Sequence, residues 1–264
     1  MNTNSQSKNK NLTAGDFTGL AKNYGLYRPD YSQTVLNALL ALTNPRTIAD
    51  VGAGTGIWTR MIANSAKNST IFAVEPNDDM RNQGQQDSQN LPISWKCGSG
   101  ENTGLESDSC DWLTMASSFH WTDFAKSTAE FHRVLKNNAW FTALWNPRLI
   151  EVNPLLVEIE HYLHQLQPTL KRISSGRSGI TATLTQQLQD CPLFSEVIYM
   201  EAQHVIEMSV ERYLGVWNSV NDIQVQLGQE KFAEFINFIR EKTKNLSTIQ
   251  ATYLTRAWSA RVKK

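Results

Sequence analysis

The run Ala49-Asp50-Val51-Gly52-Ala53-Gly54-Thr55-Gly56 constrains this chain more than any other segment. It reads as a strand that stops at an acidic residue, a glycine turn, and the start of a helix. Thr70-Ile71-Phe72-Ala73-Val74 predicts a second strand that delivers Glu75 to the same sheet edge. Glycines in such a turn let backbone pass close to a ligand without side-chain clashes. A carboxylate at the end of the next strand accepts both hydroxyls of a ribose and repels a 2′-phosphate. Together these features point to a nucleoside-containing cofactor. In open α/β sheets ligands lie over the carboxyl ends of the strands at the switch point, where Asp50, Gly52, Gly54 and Glu75 project.

The rest of the chain agrees with such a sheet. Strands are expected at about 47–51, 70–75, 93–97, 111–116 and 139–145, with helices at about 57–66, from 78, and at 123–136. An earlier helix carries Val35, Leu36, Leu39 and Leu40 on one face, closed by Asn44-Pro45. This alternation argues for a doubly wound, mainly parallel sheet with helices on both faces. Residues 147–190 then read as mostly helical, with a Ser/Gly-rich loop at 174–179. A strand near 196–207, two amphipathic helices and a strand-like segment from Thr248 to Val262 follow. The expected organisation is a frayed 1–15 and a single domain over 16–264. Its core is 45–146 and 191–264, its N-terminal lid 16–44, and helical insertions at 147–190 and 209–245 cap the sheet edge.

Composition excludes several classes. The 25 basic and 25 acidic residues cancel, which leaves no electrostatic footprint for nucleic acid. No apolar run approaches the length of a membrane span, and the polar start lacks a secretion signal. Cys97, Cys110 and Cys191 are odd in number and show no metal-type spacing, which suits a reducing, cytoplasmic compartment. His161 and His164 sit three apart on a helix without a companion ligand set. They read as a solvated face, and no metal site is expected.

A nicotinamide dehydrogenase is the first competitor. Its Gly-x-Gly-x-x-Gly fingerprint does not fit, because position 57 is Ile and the third glycine falls at 56. Asp50 at the end of the strand would face a pyrophosphate there. It suits a ligand with an amine and a cationic centre and no phosphate, as S-adenosylmethionine has.

At this point the sequence resembles the class I S-adenosylmethionine-dependent methyltransferases. It is most similar to the small-molecule "type 11" group that includes trans-aconitate methyltransferase. The carriers are Tyr24-x-x-Tyr27-Arg28-Pro29-x-Tyr31, Asp50 to Gly56, and Val74-Glu75-Pro76-Asn77-x-x-Met80. Gly98-Ser99-Gly100-Glu101-Asn102-Thr103-Gly104-Leu105 and Ser117-Ser118-Phe119-His120-Trp121 complete the set. The resemblance covers residues 20–146 clearly and the remainder by pattern. It implies a Rossmann-like, seven-stranded sheet.

The resemblance also implies roles. Gly52, Ala53 and Gly54 would cradle the methionine part of S-adenosylmethionine, with Asp50 near its amino group. Glu75 would hold the ribose, while Pro76, Asn77 and Met80 would flank the adenine. Ser99, Gly100 and Glu101 would lie on the adenine's other edge, where the family more often has Ala at position 100. Ser117 and Ser118 would sit beside the methionine moiety. Tyr24 and Arg28 would either close over its carboxylate or form a lid that merely packs.

His120 and Trp121 follow the fourth strand, where the transferred methyl should emerge. Methyl transfer from a sulfonium is an in-line displacement, so positioning does much of the work. Phe119 and Trp121 suit an aromatic wall for the cation. His120 is the best general-base candidate, since its ordinary pKa lies near neutrality. It could equally only pack or position substrate, and a carboxylate nucleophile would need no base. Trp95, Trp112, Trp140 and Trp258 read as core, and Trp145 ends its strand facing the pocket.

DNA amino-methylating enzymes usually carry Asn-Pro-Pro-aromatic after strand four, where this chain has Ser117 to Trp121. The expected substrate is therefore a small-molecule methyl acceptor, methylated at N or O under the cap by a monomer or homodimer. Arg28, Arg148, Lys171, Arg172 and Arg177 would bind an anionic group there or form solvated surface. The alternative is a protein that binds the same cofactor without methyl transfer.

Overall fold

The computed structural model describes residues 21–171 and 179–264. The segment 1–15 and most of the 174–179 loop lie outside the described residues, as do Arg172 and Arg177. The described chain opens with α1 (Ala21–Tyr27) and α2 (Gln33–Thr43). It then runs β1 (Thr47–Val51), α3 (Ile57–Ser65), β2 (Thr70–Val74), α4 (Asp78–Asp87) and β3 (Ile93–Lys96). β4 (Cys110–Ala116), α5 (Phe124–Val134) and β5 (Leu135–Trp145) follow, then α6 (Pro154–Leu166), α7 (Gly179–Ala182) and α8 (Leu184–Asp190). The chain ends with β6 (Phe194–Ser209), α9 (Val210–Asn218), α10 (Asn221–Thr243) and β7 (Thr248–Val262).

The strands form one seven-stranded sheet in the order β3-β2-β1-β4-β5-β7-β6. Strands β1 to β5 are parallel, and β7 runs antiparallel to both β5 and β6. The order reverses between β1 and β4, which sets the switch point where ligands bind. The doubly wound sheet and its strand positions match the expectation closely. One boundary differs: α5 stops at Val134 and β5 starts four residues early, at Leu135. Asn138 takes φ +64° there, a conformation asparagine tolerates better than most residues, and the β4–β5 register shifts beside it.

Local chemistry starts the helices that point at the switch point. Asn77 caps α4, its side chain accepting from Met80 N, and Asp78 and Asp79 complement the first turn's positive dipole end. Asp123 caps α5 and Ser209 caps α9 in the same way. Asn153 caps α6, and Pro154 stands at the first turn, where its missing N–H is not needed. α10 is kinked at Gly228, whose φ is +71°.

Three buried clusters hold the layers. On one face, Val35, Leu36 and Leu39 of α2 and Trp58 and Ile62 of α3 pack on Ile48, Ile71 and Trp112. On the other, Phe131 and Val134 of α5 and Leu184 and Leu188 of α8 pack with Leu113, Phe141 and Trp258. The third cluster lies off the sheet. There Leu156, Ile159 and Leu163 of α6 meet Tyr213, Val216 and Trp217 of α9 and Phe235 and Ile239 of α10. It is floored by Met208 of β6 and by Ile249, Ala251 and Tyr253 of β7. The 147–190 segment therefore divides: α6 joins the cap, whereas Leu184 and Leu188, one helical turn apart, turn α8 onto the sheet. Several polar side chains inside the sheet are paired. Trp58 donates to Thr114, Trp112 donates to Thr142, and Thr142 shares a hydrogen bond with Ser259.

Strands β6 and β7 pair from Phe194↔Val262 to Ser209↔Thr248, but β5 pairs only with Arg256–Arg261. The outer part of this hairpin projects beyond the sheet and carries the cap.

Candidate active site

A cavity of about 330 Å³ opens over the carboxyl ends of β1, β2 and β4. One wall is the loop Gly52 to Thr55, followed by Glu75, Pro76, Asn77 and Met80. Ser99, Gly100 and Glu101 close the β3 side, and Ser117, Ser118 and Trp121 the β4 side. Tyr24, Arg28 and Tyr31 cover it from the N-terminal segment.

The sequence folds this way for identifiable reasons. Gly52 has φ +68°, and a Cβ there would lie 2.6 Å from that of Ser118. Gly54 has φ +57°, and a Cβ there would meet only Met80 Cε, at 3.5 Å, so this glycine leaves open space on the cavity side. Glu75 is 7% exposed, and its two oxygens accept from Gly54 N at 2.8 Å and Asn77 N at 2.9 Å. Burial pushes the Glu75 carboxyl up, against the pull of those two amides and of Arg81. Tyr31 OH lies 2.9 Å from Ser117 Oγ, and Ser117 holds φ +55°. Burial raises the Tyr31 phenol well above its ordinary value, so it stays protonated.

Residues 49–143 match the family described as a methyltransferase domain. The chain is a class I S-adenosylmethionine-dependent methyltransferase. An uncharacterized methyltransferase of Schizosaccharomyces pombe is 24% identical over 246 residues, 90% of this chain and 93% of that protein. A second methyltransferase-like protein of the same yeast is 30% identical over 129 residues. That alignment spans 47% of this chain and 49% of the relative. Among solved structures, one from Anaeromyxobacter dehalogenans assigned as a type II methyltransferase superposes with a TM-score of 0.68 at 21% identity. It covers 90% of this chain and 99% of its own. One from Anabaena variabilis, assigned to an antibiotic-biosynthesis pathway, gives 0.56 at 19% identity, over 87% and 98%.

The cofactor of this methyltransferase is S-adenosylmethionine. The cavity fits it on its own terms. Each Glu75 oxygen spends one lone pair on a backbone amide and keeps another for a ribose hydroxyl. Thr55 Oγ1 is buried without a partner, and the space beside Gly54 is open.

All the expected site residues line the methyltransferase cavity except Asp50 and His120. Asp50 is fully buried one layer behind the glycine loop, where Oδ2 accepts from Thr59 Oγ1 at 2.5 Å and Oδ1 has no partner. Burial pushes its carboxyl up to about 7, despite the Thr59 hydroxyl. His120 lies behind Trp121, its ring centroid 4.5 Å from the Trp121 ring. Trp145 Nε1 donates to His120 Nδ1, so the neutral ring carries its proton on Nε2, which is buried without a partner. Burial lowers His120 to about 4. Phe119 points away from the cavity into the aromatic core with Phe131 and Phe141. Trp145 is likewise packed inside, against Trp258.

The far end of the cavity was not legible in advance. Asn146, Pro147, Arg148, Val216, Val220, Asn221, Asp222 and Tyr253 line it. In the sequence Arg148 is one cation among several. Tyr253 sits in a β-branched and aromatic strand where one inward tyrosine looks like any other. Among the described residues, no group of three His, Cys, Asp or Glu is placed to hold a metal ion. Nor is any helix among them long and apolar enough to cross a membrane.

Proposed function

We propose that this methyltransferase transfers a methyl group to an N or O atom of a small-molecule acceptor lodged between the sheet edge and the helical cap. The observation that carries this reading is the second half of the cavity. Beyond Ser117 its lining passes from the donor side to Val216 and Val220 of the cap and to Tyr253 of β7. That space is roofed by packed helices, and cavities of this size class suit small molecules. Balanced charge supports the same reading, since a polyanionic substrate calls for a basic face.

When bound, S-adenosylmethionine supplies a methyl group on a cationic sulfur, whose charge disperses as the methyl leaves. The chain's part is to hold the donor and orient the acceptor. In this reading Glu75 fixes the ribose, the Gly52–Gly54 backbone leaves room for the methionine part, and Arg28 with Tyr24 covers its carboxylate. Arg28 is itself placed by Ser219, to whose Oγ its Nε donates at 2.9 Å. Trp121 offers an aromatic face at the β4 end. His120 positions Trp121 rather than taking a proton, because its only free lone pair is spent on Trp145. An acceptor that must lose a proton would give it to Asp222, a residue of the cavity lining whose Oδ2 has no hydrogen-bond partner.

The test is incubation of the purified protein with S-adenosylmethionine and a broad pool of small metabolites, followed by mass spectrometry. S-adenosylhomocysteine and a product heavier by one methylene are expected. Cofactor binding without either product would leave only the role of a binding protein.

A further inference from the structure

Position 100 is a glycine for a reason other than its backbone. Gly100 is not among the residues with positive φ, so an L side chain could be carried there without backbone strain. What excludes one is Thr122. A Cβ at position 100 would lie 2.6 Å from Thr122 Cγ2, closer than carbon atoms approach, yet an ordinary 3.4 Å from Thr122 Cβ. The Thr122 methyl therefore stands almost where a side chain at position 100 would begin. Both residues line the cavity.

Thr122 is held in that pose from behind. Its backbone N–H and its Oγ1 both donate to Phe119 O, at 3.2 and 2.9 Å, and Oγ1 lies 3.2 Å from Ser127 Oγ. A β-branched side chain whose hydroxyl is engaged has little freedom about χ1, so the methyl stays turned toward Gly100. Met115 Cε approaches the same spot, 3.6 Å from a Cβ at position 100 and 3.5 Å from one at position 52. Met80 Cε stands 3.5 Å from the corresponding point at Gly54. Methyl groups from α4, β4 and the loop after β4 thus border the cavity between Ser99–Glu101 and the glycine loop. They offer no hydrogen bonds, so the group they seat is an apolar or aromatic face rather than a charge.

We propose that Thr122 is a cofactor-contacting residue of this methyltransferase, its methyl group packing beside Gly100 against the base of S-adenosylmethionine. In that arrangement one loop serves both ends of the donor, with Ser117 and Ser118 at the methionine part and Thr122 at the base. Gly100 and Thr122 are then a matched pair, in which the methyl that fills the wall is carried by residue 122 instead of residue 100. The expected site stopped one residue short, at Trp121. This inference rests on the proposed placement of the base beside Ser99–Glu101.

The experiment titrates the full chain by calorimetry with S-adenosylhomocysteine and with methylthioadenosine, which keeps the base and ribose and lacks the amino-acid part. Thr122→Ser deletes the methyl and keeps the hydroxyl. It should weaken both ligands about fourfold, the contribution of one buried methyl group, while the melting temperature of the ligand-free protein stays near that of the wild type. Gly100→Ala should weaken both by about tenfold or more, because its methyl collides with Thr122 Cγ2. Gly100→Ala combined with Thr122→Ser should return both affinities to within about twofold of wild type, since the new methyl then occupies the place of the lost one. Thr122→Ser keeps the measurement open where Gly100→Ala alone folds poorly. Unchanged affinity in Thr122→Ser would overturn the proposal. So would a loss for S-adenosylhomocysteine without one for methylthioadenosine, or a double variant that binds no better than Gly100→Ala. Glu75→Gln is titrated alongside: if it weakens both ligands while Thr122→Ser does not, only the role of Thr122 falls. A wild type that binds neither ligand, or a Glu75→Gln variant that binds both unchanged, would defeat the donor placement and the proposal with it.

Discussion

Trp145 Nε1 donates to Nδ1 of His120 across 3.2 Å, and this contact makes a buried, neutral imidazole out of the histidine nearest the donor site. An unfolded histidine titrates near 6.5, whereas His120 in the fold titrates at about 4. Between these values the unfolded chain binds more protons, so stability present above about pH 6.5 is lost as the pH falls toward 4. Asp50 works in the opposite sense: its raised pKa adds protons to the folded state, and its contribution fades as the pH rises from about 4 toward 7. Comparing wild type with His120→Gln isolates the first effect. In urea denaturation, the wild type should lose about 2 kcal/mol more than the variant between about pH 7 and pH 4.5. Parallel curves would show that the ring is not buried neutral. Under the proposed assignment of the proton to Asp222, the pH–rate profile of His120→Gln should keep its acidic limb.

Glu75→Gln should loosen the cofactor by about 10- to 100-fold, the range set by hydrogen bonds to a charged group. The amide that replaces one oxygen would turn a donor toward Gly54 N or Asn77 N, both of which now donate to the carboxylate. Titration calorimetry with S-adenosylhomocysteine reads this directly, and an unchanged affinity would remove Glu75 from the ribose site.

The two glycines of the loop should respond differently to alanine. Both have positive φ, so each substitution carries roughly 1–2 kcal/mol of backbone strain. At position 52 the new Cβ also collides with Ser118, whose Oγ donates to Val51 O at 3.1 Å. At position 54 it makes only an ordinary contact with Met80 Cε, at 3.5 Å. Gly52→Ala should therefore lower the melting temperature more, while Gly54→Ala should mainly weaken cofactor binding. A larger melting loss at 54 would contradict the packing described.

Tyr31→Phe deletes the hydroxyl next to Ser117 Oγ and leaves the ring edge-on to Trp58, 5.2 Å between centroids. The expected loss is about 1 kcal/mol in chemical denaturation. Loss of the hydroxyl should also weaken cofactor binding, because the N-terminal cover is tied to the β4 loop through this contact. Unchanged stability and affinity would mean that the cover is held elsewhere.

Much of the loop geometry around the cavity was readable because it depends on backbone requirements that only certain residues meet. Gly52 and Gly54 take positive φ, Asn77 caps α4, and Glu75 follows directly on β2. Periodicity likewise placed the strands to within a few residues. What it could not give was depth. Asp50 and His120 carry the right chemistry in the right loops, yet one lies a layer beneath the glycine turn and the other behind Trp121. The Arg148–Tyr253 pair was hidden for another reason. It joins residues 105 positions apart in the chain, through a bridge just past the end of β5. Only the antiparallel return of β7 brings them together, and no local pattern encodes that.

The projecting β6–β7 hairpin divides the methyltransferase into parts that evolution can edit separately. The family match ends at residue 143, near the end of β5. Past that point the cap is built from α6, α9 and α10 on Met208 of β6 and Ile249, Ala251 and Tyr253 of β7. Under the proposed function, exchanging α6 and α10 for those of a relative would re-tool which molecule receives the methyl, whereas α9 ends at Ser219, which holds Arg28, and would have to keep that contact.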